Sequence, residues 1–312
     1  MGNITPWIIL ISYVLVLLLI DFFILHKKNR DTSVKRAIFE TIFFITNALI
    51  FSGFIYWFYN ISLVDNVNNL EPAQAVVKYL TGYIIELSLS VDNLFVIAII
   101  FTSFKIPRQY QHNLLFLGIL GAIVFRAILI SVGLILINRV HGMNIVFGLF
   151  LLFTALKMLK KEAEHKEVKE PKGIIKLFRF SNELHDGKYI TKVNGKTVFT
   201  ALFGALITIE LTDLLFALDS IPAIFAVTTD PFIVFSSNIF AVMGLRSLYF
   251  FLSNMLDKFV YLKYSVFAIL LFVSLKLMTA SLIEIPEWFS LLFIGISLLS
   301  GIYISTINIK NK

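Results

Sequence analysis

Two long apolar segments of this chain carry carboxylates in their middle, and this feature constrains the fold more than any other. The carboxylates lie in residues 86–93 (ELSLSVDN) and 210–220 (ELTDLLFALDS). Ionisable groups are costly at membrane depth, so they normally face a protein interior and mark a path for an ion or a substrate. The five acids are Glu86, Asp92, Glu210, Asp213 and Asp219. They are the first candidates for functional residues.

The composition excludes a soluble protein. Of the 312 residues, 58% are hydrophobic and only 15% are charged, and the mean hydropathy is +0.86. A soluble domain of this size could not hide that much apolar surface, so the chain is predicted to be a polytopic protein in contact with a lipid bilayer. The absence of cysteine excludes disulfides, thiolate metal sites and redox pairs within the chain. The net charge of +7 lies in the loops, which indicates membrane orientation and not nucleic-acid binding.

Nine segments are long and apolar enough to be read as spans, given that a crossing helix needs about 20 residues. They are 6–25, 38–59, 75–104, 112–138, 144–159, 198–228, 231–255, 264–280 and 287–307. Basic loops such as 26–37 alternate with neutral or acidic loops such as 60–74. The positive-inside rule then places the N-terminus outside and the C-terminus in the cytoplasm. We therefore predict an all-α polytopic membrane protein with about nine transmembrane helices.

The two acid-bearing segments belong to an internal repeat. When Asp92-Asn93 is aligned with Asp219-Ser220, three further pairs of charged residues follow in the same order, and these are Glu86 with Glu210, Arg126 with Arg246, and Lys157 with Lys276. Predicted helix 3 enters the membrane from outside and helix 6 from the cytoplasm, so the two units are inverted. Inverted repeats are typical of secondary transporters, whose substrate sites lie near the midplane where the repeats meet. The sequence thus predicts a 3+3 repeat of helices 3–5 and 6–8.

The predicted organisation follows from the spans and the repeat. It consists of two leading helices (1–74), repeat unit 1 (75–159), a cytoplasmic loop (160–197), repeat unit 2 (198–282), and a final helix with a cytoplasmic tail (283–312). Residues 189–199, around Asn194-Gly195, have the pattern of a small β-hairpin with a two-residue turn.

Charge counting indicates a cation. If all five acids ionise, Arg126 and Arg246 offset two of them and leave −3, which one divalent ion would bring to −1. The neighbouring donors are also oxygens, with Asn93 and Ser220 as supporting candidates. Oxygen-only ligation selects hard ions such as Mg²⁺, Ca²⁺ or Mn²⁺, and the residues do not distinguish among these three.

The positive residues have a second interpretation. Arg126 and Arg246 could pair with the acids only to hold helices together. Lys157 and Lys276 could pair with charges in the core or extend to the membrane surface as anchors. Asn47 and Asn238 are predicted to form interhelical hydrogen bonds.

The first and last acids of each helix do not share a face, whereas Glu210 and Asp213, three residues apart, do. Glu86 and Asp92 are separated by about 240° in a straight helix, so the acids converge only if the helices are broken or if different helices supply them. Segments 75–104 and 198–228 are longer than a span requires, and Pro222 follows Asp219 closely. These observations favour breaks, because proline removes a backbone donor.

The acid-bearing regions resemble the two signature regions of the TerC family of bacterial integral membrane proteins, and the similarity is nearest to its Alx branch. The resemblance rests on residues 81–96 (TGYIIELSLSVDNLFV) and 219–234 (DSIPAIFAVTTDPFIV). The second match continues at Ser237-Asn238, Gly244-Leu245-Arg246 and Tyr249-Phe250. The resemblance covers essentially the whole chain. It implies a multi-pass protein of the bacterial inner membrane that exports Mn²⁺, with the acids of both signatures binding the ion.

Three functions are compatible with these residues. The leading one is a divalent metal-ion transporter with no permanently bound cofactor and no enzymatic activity, for which a proton gradient is a candidate driving force. A second is a membrane partner protein that assists the metalation of secreted proteins. The third is a metal-dependent intramembrane enzyme, in which a metal-activated water would act. The chain has few groups for that chemistry, with no histidine in the middle of a span. The sequence is compatible both with a homo-oligomer and with binding to other membrane proteins.

Overall fold

The computed structural model describes residues 3–25, 34–66, 68–140, 142–160, 180–181, 187–193, 196–252, 261–280 and 285–310. These residues form ten α-helices, here numbered in chain order: α1 (Thr5–Ile20), α2 (Val34–Asn60), α3 (Pro72–Ser103), α4 (Arg108–Arg139), α5 (Met143–Lys160), α6 (Ala201–Phe225), α7 (Pro231–Met243), α8 (Leu245–Leu252), α9 (Leu262–Thr279) and α10 (Glu287–Lys310). A π-helical turn, Asp21–Leu25, extends α1.

The chain is an all-α polytopic membrane protein, as predicted. Within the described ranges, six helical segments have the length and apolar composition to cross a membrane. Each predicted span falls on a helix, although segment 231–255 is divided at Gly244 into α7 and α8. Large apolar side chains such as Val124, Phe153 and Leu299 are more than half exposed. On a membrane protein, such outward apolar faces are suited to lipid contact.

Local sequence explains where several helices begin. Pro6 and Pro72 stand in the first turns of α1 and α3, where the missing N–H costs nothing. Glu71 and Gln74 form a capping box at the start of α3. The side chain of Asp230 accepts hydrogen bonds from the backbone N–H groups of Phe232 and Ile233, at 3.0 and 3.2 Å, and so caps α7.

The helices that carry the acids are continuous, and the breaks expected in them are absent. Helix α3 runs unbroken over 32 residues and α6 over 25. Pro222 lies in the last turn of α6, so the backbone donor that it lacks is missing only near the end of the helix and does not divide it. Acids therefore converge in this fold because different helices supply them, which was the other alternative.

Helix α7 is the central element of the bundle. In the segment Pro231–Phe251, 83% of the most apolar window is buried, against 33% or less in the other candidate spans. Small residues permit close packing on α3: a Cβ added at Gly82 would stand 2.9 Å from the Ser237 hydroxyl. Helices α1 and α2 also pack on α7 through aromatic rings, including Phe51 against Phe240 at 4.6 Å between centroids.

The end of the 160–197 loop forms the predicted hairpin. Strands β2 (Ile190–Val193) and β3 (Lys196–Thr200) pair antiparallel, with Val193 opposite Lys196. A two-residue strand, β1 (Phe180–Ser181), adds in parallel to β3, and this pairing was not predicted. Most of the rest of the loop, and Asn194-Gly195 at the predicted turn, lie outside the described residues.

Candidate functional site

Three helices bring a buried arginine and two acids together in the centre of the bundle. Arg126 of α4 binds Asp213 of α6 in a bidentate pair, with Nη2–Oδ1 at 2.9 Å and Nε–Oδ2 at 3.1 Å. The Nη1 group of Arg126 forms an ion pair with Glu86 Oε1 of α3. Arg126 and Glu86 are 1% exposed or less, and Asp213 is mostly buried. Two negative charges thus share one permanent positive charge, because arginine does not deprotonate in proteins.

Asn238 of the central helix α7 completes this cluster. Its amide nitrogen donates to Glu86 Oε2 at 3.0 Å, and its oxygen accepts from Arg126 Nη1 at 3.4 Å. Asn238 is fully buried. The interhelical hydrogen bonds predicted for it are present, and they place it in contact with two of the charged residues. Helices α3, α4, α6 and α7 therefore all contribute to what we call the central cluster: Glu86, Arg126, Asp213 and Asn238.

The two acids of the central cluster have the same spacing to the aspartate that follows them in the two predicted repeat units. Glu86 lies six residues before Asp92, and Asp213 lies six residues before Asp219. The sequence alignment matched Glu86 with Glu210. In the structure it is Asp213 that joins Glu86 on the same guanidinium. The geometry therefore agrees with the six-residue spacing, which favours Asp213, and not with the predicted match of Glu86 to Glu210.

Glu210 lies against α4 but beside a different residue. A Cβ added at Gly121 would collide with the Glu210 carboxylate, so the glycine leaves the space that this carboxylate fills. Glu210 Oε2 is buried and has no hydrogen-bond partner among the described residues. The carboxylate thus retains capacity to bind a further donor or a cation.

The second acid of each unit has a separate position. Asp92 lies in α3, but its side chain is outside the described part of the chain. Its neighbour Asn93 is buried. Asp219 accepts a hydrogen bond from the Thr154 hydroxyl of α5 at 3.1 Å. Ser220 is buried, and its hydroxyl has no hydrogen-bond partner among the described residues.

Arg246 does not repeat the arrangement of Arg126 in the described residues. It forms a buried ion pair with Asp21, in the π-helical turn after α1. Its Nε and Nη1 groups are buried without a hydrogen-bond partner among the described residues. Asp21 is not among the candidate residues that the sequence analysis identified. Its position at the end of an apolar run was the signal that could have indicated a buried partner.

The two lysines of the predicted repeat lie in α5 and α9. Lys276 of α9 is buried and donates a hydrogen bond to the Ser290 hydroxyl of α10 at 2.9 Å. It therefore faces a neighbouring helix. Lys157 lies in α5, and its side chain is outside the described residues.

A small cavity adjoins the central cluster. About 20 Å³ within it is open to the centre of a water-sized sphere, which is room for one water molecule or one dehydrated cation. Its polar lining residues come from α3, α6 and α8, and they are Asn93, Thr212, Asp213 and Arg246. Apolar residues such as Ile119 and Phe216 complete the wall. The cavity therefore gives a small particle a place beside the Asp213 carboxylate.

The predicted five-acid ion site is not assembled in the described part of the structure. Among the described side chains, no three Asp, Glu or His residues lie close enough to hold one ion together. Arg126 brings Glu86 and Asp213 together, whereas the Asp219 carboxylate accepts a hydrogen bond from α5. The groups that the described residues offer near the central cluster as metal ligands are oxygen atoms, and oxygen ligands suit hard cations.

Several known bacterial membrane proteins are similar to this chain over most of its length. A Rickettsia felis protein named only as an uncharacterized membrane protein is 40% identical over 304 residues, covering 96% of this chain and 97% of that protein. A Myxococcus xanthus membrane protein, STKORF319, is 40% identical over 91% of this chain and 86% of its own length. The Salmonella typhi protein Alx, whose name proposes that it is a membrane-bound redox modulator, is 38% identical over 89% of this chain and 86% of its own length.

No solved structure matches this chain. The sequence profile described as the integral membrane protein TerC family matches residues 71–312, which include both acid-bearing helices and the central helix. This match covers well over half of the chain, and relatives carrying the Alx name agree with it over most of their length. The chain therefore belongs to the TerC family of integral membrane proteins.

Proposed function

We propose that this protein is a divalent-cation transporter that exports Mn²⁺ from the cytoplasm through its central cluster. The observation that carries the proposal is the meeting of Glu86 and Asp213, one acid from each repeat unit, beside a cavity of about 20 Å³. Buried carboxylates in a membrane protein normally serve an ion path. Glu210, Asp92 and Asp219 are then further ligands along the same path.

The packing of the helices supports two inverted units. Helix α3 packs on α7, and α4 packs on α6, so the first helix of each unit contacts the second helical segment of the other. Helices α5 and α9, the third of each unit, pack on one another. This reciprocal pattern is what a two-fold relation between the units requires. We propose nine spans with the N-terminus outside, and alternating access through movement of one unit against the other.

The choice of ion rests on two different grounds. Oxygen donors and the absence of cysteine favour Mg²⁺, Ca²⁺ or Mn²⁺ over softer metals. Mn²⁺ among these three, the outward direction and the bacterial inner membrane follow from the resemblance to the family. Protonation of a carboxylate on the path would couple release of the ion to a proton gradient.

The redox role named for the Alx relatives has a physical limit here. The chain has no cysteine, so an effect on redox state would not run through thiols of its own. A transporter would instead alter redox chemistry through the metal that it moves. A membrane partner that assists the metalation of secreted proteins is the alternative, with loop 160–197 as its docking segment.

The test is Mn²⁺ flux in proteoliposomes, measured under both directions of pH gradient with Ca²⁺ and Mg²⁺ as competitors. We expect Asp92→Asn and Asp213→Asn each to lower the flux at least tenfold, because each removes a negative charge from the proposed path. The matched control is Asp65→Asn, which removes an exposed acid from the 60–74 loop and should retain the flux. Absence of flux in the wild type would contradict transport and favour the partner role.

A further inference from the structure

We infer that Arg126 is a tethered substitute for the transported ion: it occupies the position between Glu86 and Asp213 that the cation takes, and the cation binds there only when Arg126 leaves. This inference rests on the proposed function and adds a specific role for one residue. Its evidence is the geometry of the central cluster.

The hydrogen bonds of the cluster leave no carboxylate oxygen unengaged. Arg126 binds both oxygens of Asp213 and one oxygen of Glu86. Asn238 binds the other oxygen of Glu86 at 3.0 Å. A divalent cation needs direct contact with such oxygens at about 2.0–2.6 Å. It could not approach both carboxylates while the guanidinium remains between them.

The charges give the same answer. Glu86, Asp213 and Arg126 sum to −1, and a divalent ion added to all three would make the buried cluster +1. With Arg126 withdrawn, the ion and the two acids sum to zero. Uncompensated charge is expensive in a buried site, so exchange of one cation for the other is the favourable path. Arginine suits this role because it stays protonated throughout.

The cavity supplies a place from which exchange could begin. Asp213 lies on its wall and also holds Arg126, and the space accommodates one small particle. An ion that arrives there meets a carboxylate already paired with a tethered cation. When the ion departs, Arg126 returns between the acids and brings the cluster back to −1, so the empty protein never leaves both buried acids without a cation.

The experiment measures Mn²⁺ binding to the full-length, detergent-purified protein, using the metal alone as the probe. Arg126→Gln removes the charge while keeping a polar side chain, and we expect its Kd for Mn²⁺ to fall at least tenfold below the wild-type value. The double variant Arg126→Gln/Asp213→Asn also removes one acid and restores the cluster to −1. Its affinity should return to the wild-type value or weaker.

The control is Arg36→Gln, which removes an arginine from an ion pair with Glu40 that does not involve the cluster. Its affinity should not change. Because Arg126→Gln leaves two buried acids unpaired, it is purified in Mn²⁺, and its thermal stability should rise with added Mn²⁺ more than that of the wild type. If Arg126→Gln does not fold, the Arg126→Lys variant tests the inference instead. Lysine cannot make the bidentate pair with Asp213, so we expect the Arg126→Lys protein to bind Mn²⁺ more tightly than the wild type does.

Two results would contradict the inference in distinguishable ways. If the wild type carries Mn²⁺ flux and neither Arg126 variant binds Mn²⁺ more tightly, Arg126 does not compete with the ion, and the proposed function stands. If no protein in the series binds Mn²⁺ and the wild type shows no flux, both proposals are wrong.

Discussion

The pairing of Arg126 with Glu86 and Asp213 shows how single residues make charge tolerable inside this bundle. A buried ion pair often contributes little net stability, because removing two charges from water costs about as much as their attraction returns. Removing one partner is different, since it leaves a buried charge without compensation. The cluster is therefore better explained by what it can bind than by the stability it adds.

Asn238 and Asn47 allow a test of that distinction at the scale of one side chain. Both asparagines form interhelical hydrogen bonds, but Asn47 binds the Tyr13 hydroxyl at 2.8 Å, whereas Asn238 binds Glu86. We expect Asn238→Ala to cost about 1–3 kcal/mol of stability, because it leaves a buried carboxylate oxygen unsatisfied. It should also reduce Mn²⁺ flux severalfold in proteoliposomes.

The matched variant is Asn47→Ala. It also removes an interhelical hydrogen bond, so thermal denaturation should show a loss of stability, but its flux should remain close to that of the wild type. Equal losses of flux in both variants would indicate that Asn238 serves only to hold helices together.

At the scale of helices, the contact of α5 with α9 joins the third helices of the two proposed units. Gly148 of α5 sits at this contact: a Cβ added there would lie 3.0 Å from the Ser274 carbonyl oxygen and 3.2 Å from the Met278 backbone nitrogen, and would collide with the Met278 side chain. Backbone atoms on a helix cannot give way as a flexible side chain can. We therefore expect Gly148→Ala to destabilise the protein by about 1–3 kcal/mol through overpacking.

Thermal denaturation in detergent measures this effect, and Gly295 provides the control. Gly295 of α10 has open space around its would-be Cβ. Gly295→Ala should leave the melting temperature unchanged or slightly higher, because alanine favours the helix over glycine. A Gly148→Ala protein as stable as the wild type would show that α5 and α9 are not closely packed.

At the scale of the whole molecule, the proposed orientation is open to a direct labelling test. The natural chain contains no cysteine, so any introduced thiol is unique. We expect Asn68→Cys, at an exposed site in the 60–74 loop, to react with a membrane-impermeant thiol reagent in intact cells. Lys188→Cys, at an exposed site in the 160–197 loop, should react only after lysis. The opposite labelling pattern would invert the proposed topology.

Several parts of this fold could be predicted from the sequence because they depend on local composition. Apolar segments of sufficient length determine where helices lie, and each predicted span falls on a helix, although the division of segment 231–255 into α7 and α8 was not predicted. The hairpin of β2 and β3 is likewise local, because a two-residue turn sets its register. Periodicity within one helix also showed that Glu86 and Asp92 could not share a face.

What the sequence could not determine are contacts between residues distant along the chain. The pairing of Arg246 with Asp21 joins residues 225 apart, and no pattern within either helix indicates it. Pro222 suggested a broken helix, whereas its position in the last turn leaves α6 continuous. The choice of Asp213 over Glu210 as the partner of Arg126 depends on how α6 packs on α4, which is a property of the assembled bundle.

By itself, the sequence determined that this protein resides in a membrane and that two of its apolar segments carry acids. Both conclusions depend on composition and spacing, because a bilayer tolerates only apolar helices and penalises isolated charges. Only the tertiary structure decided which charges meet, since ion pairs inside a bundle are set by the rotation and contact of whole helices. That is why the acids could be named in advance, and why the place of Arg126 between Glu86 and Asp213 could not.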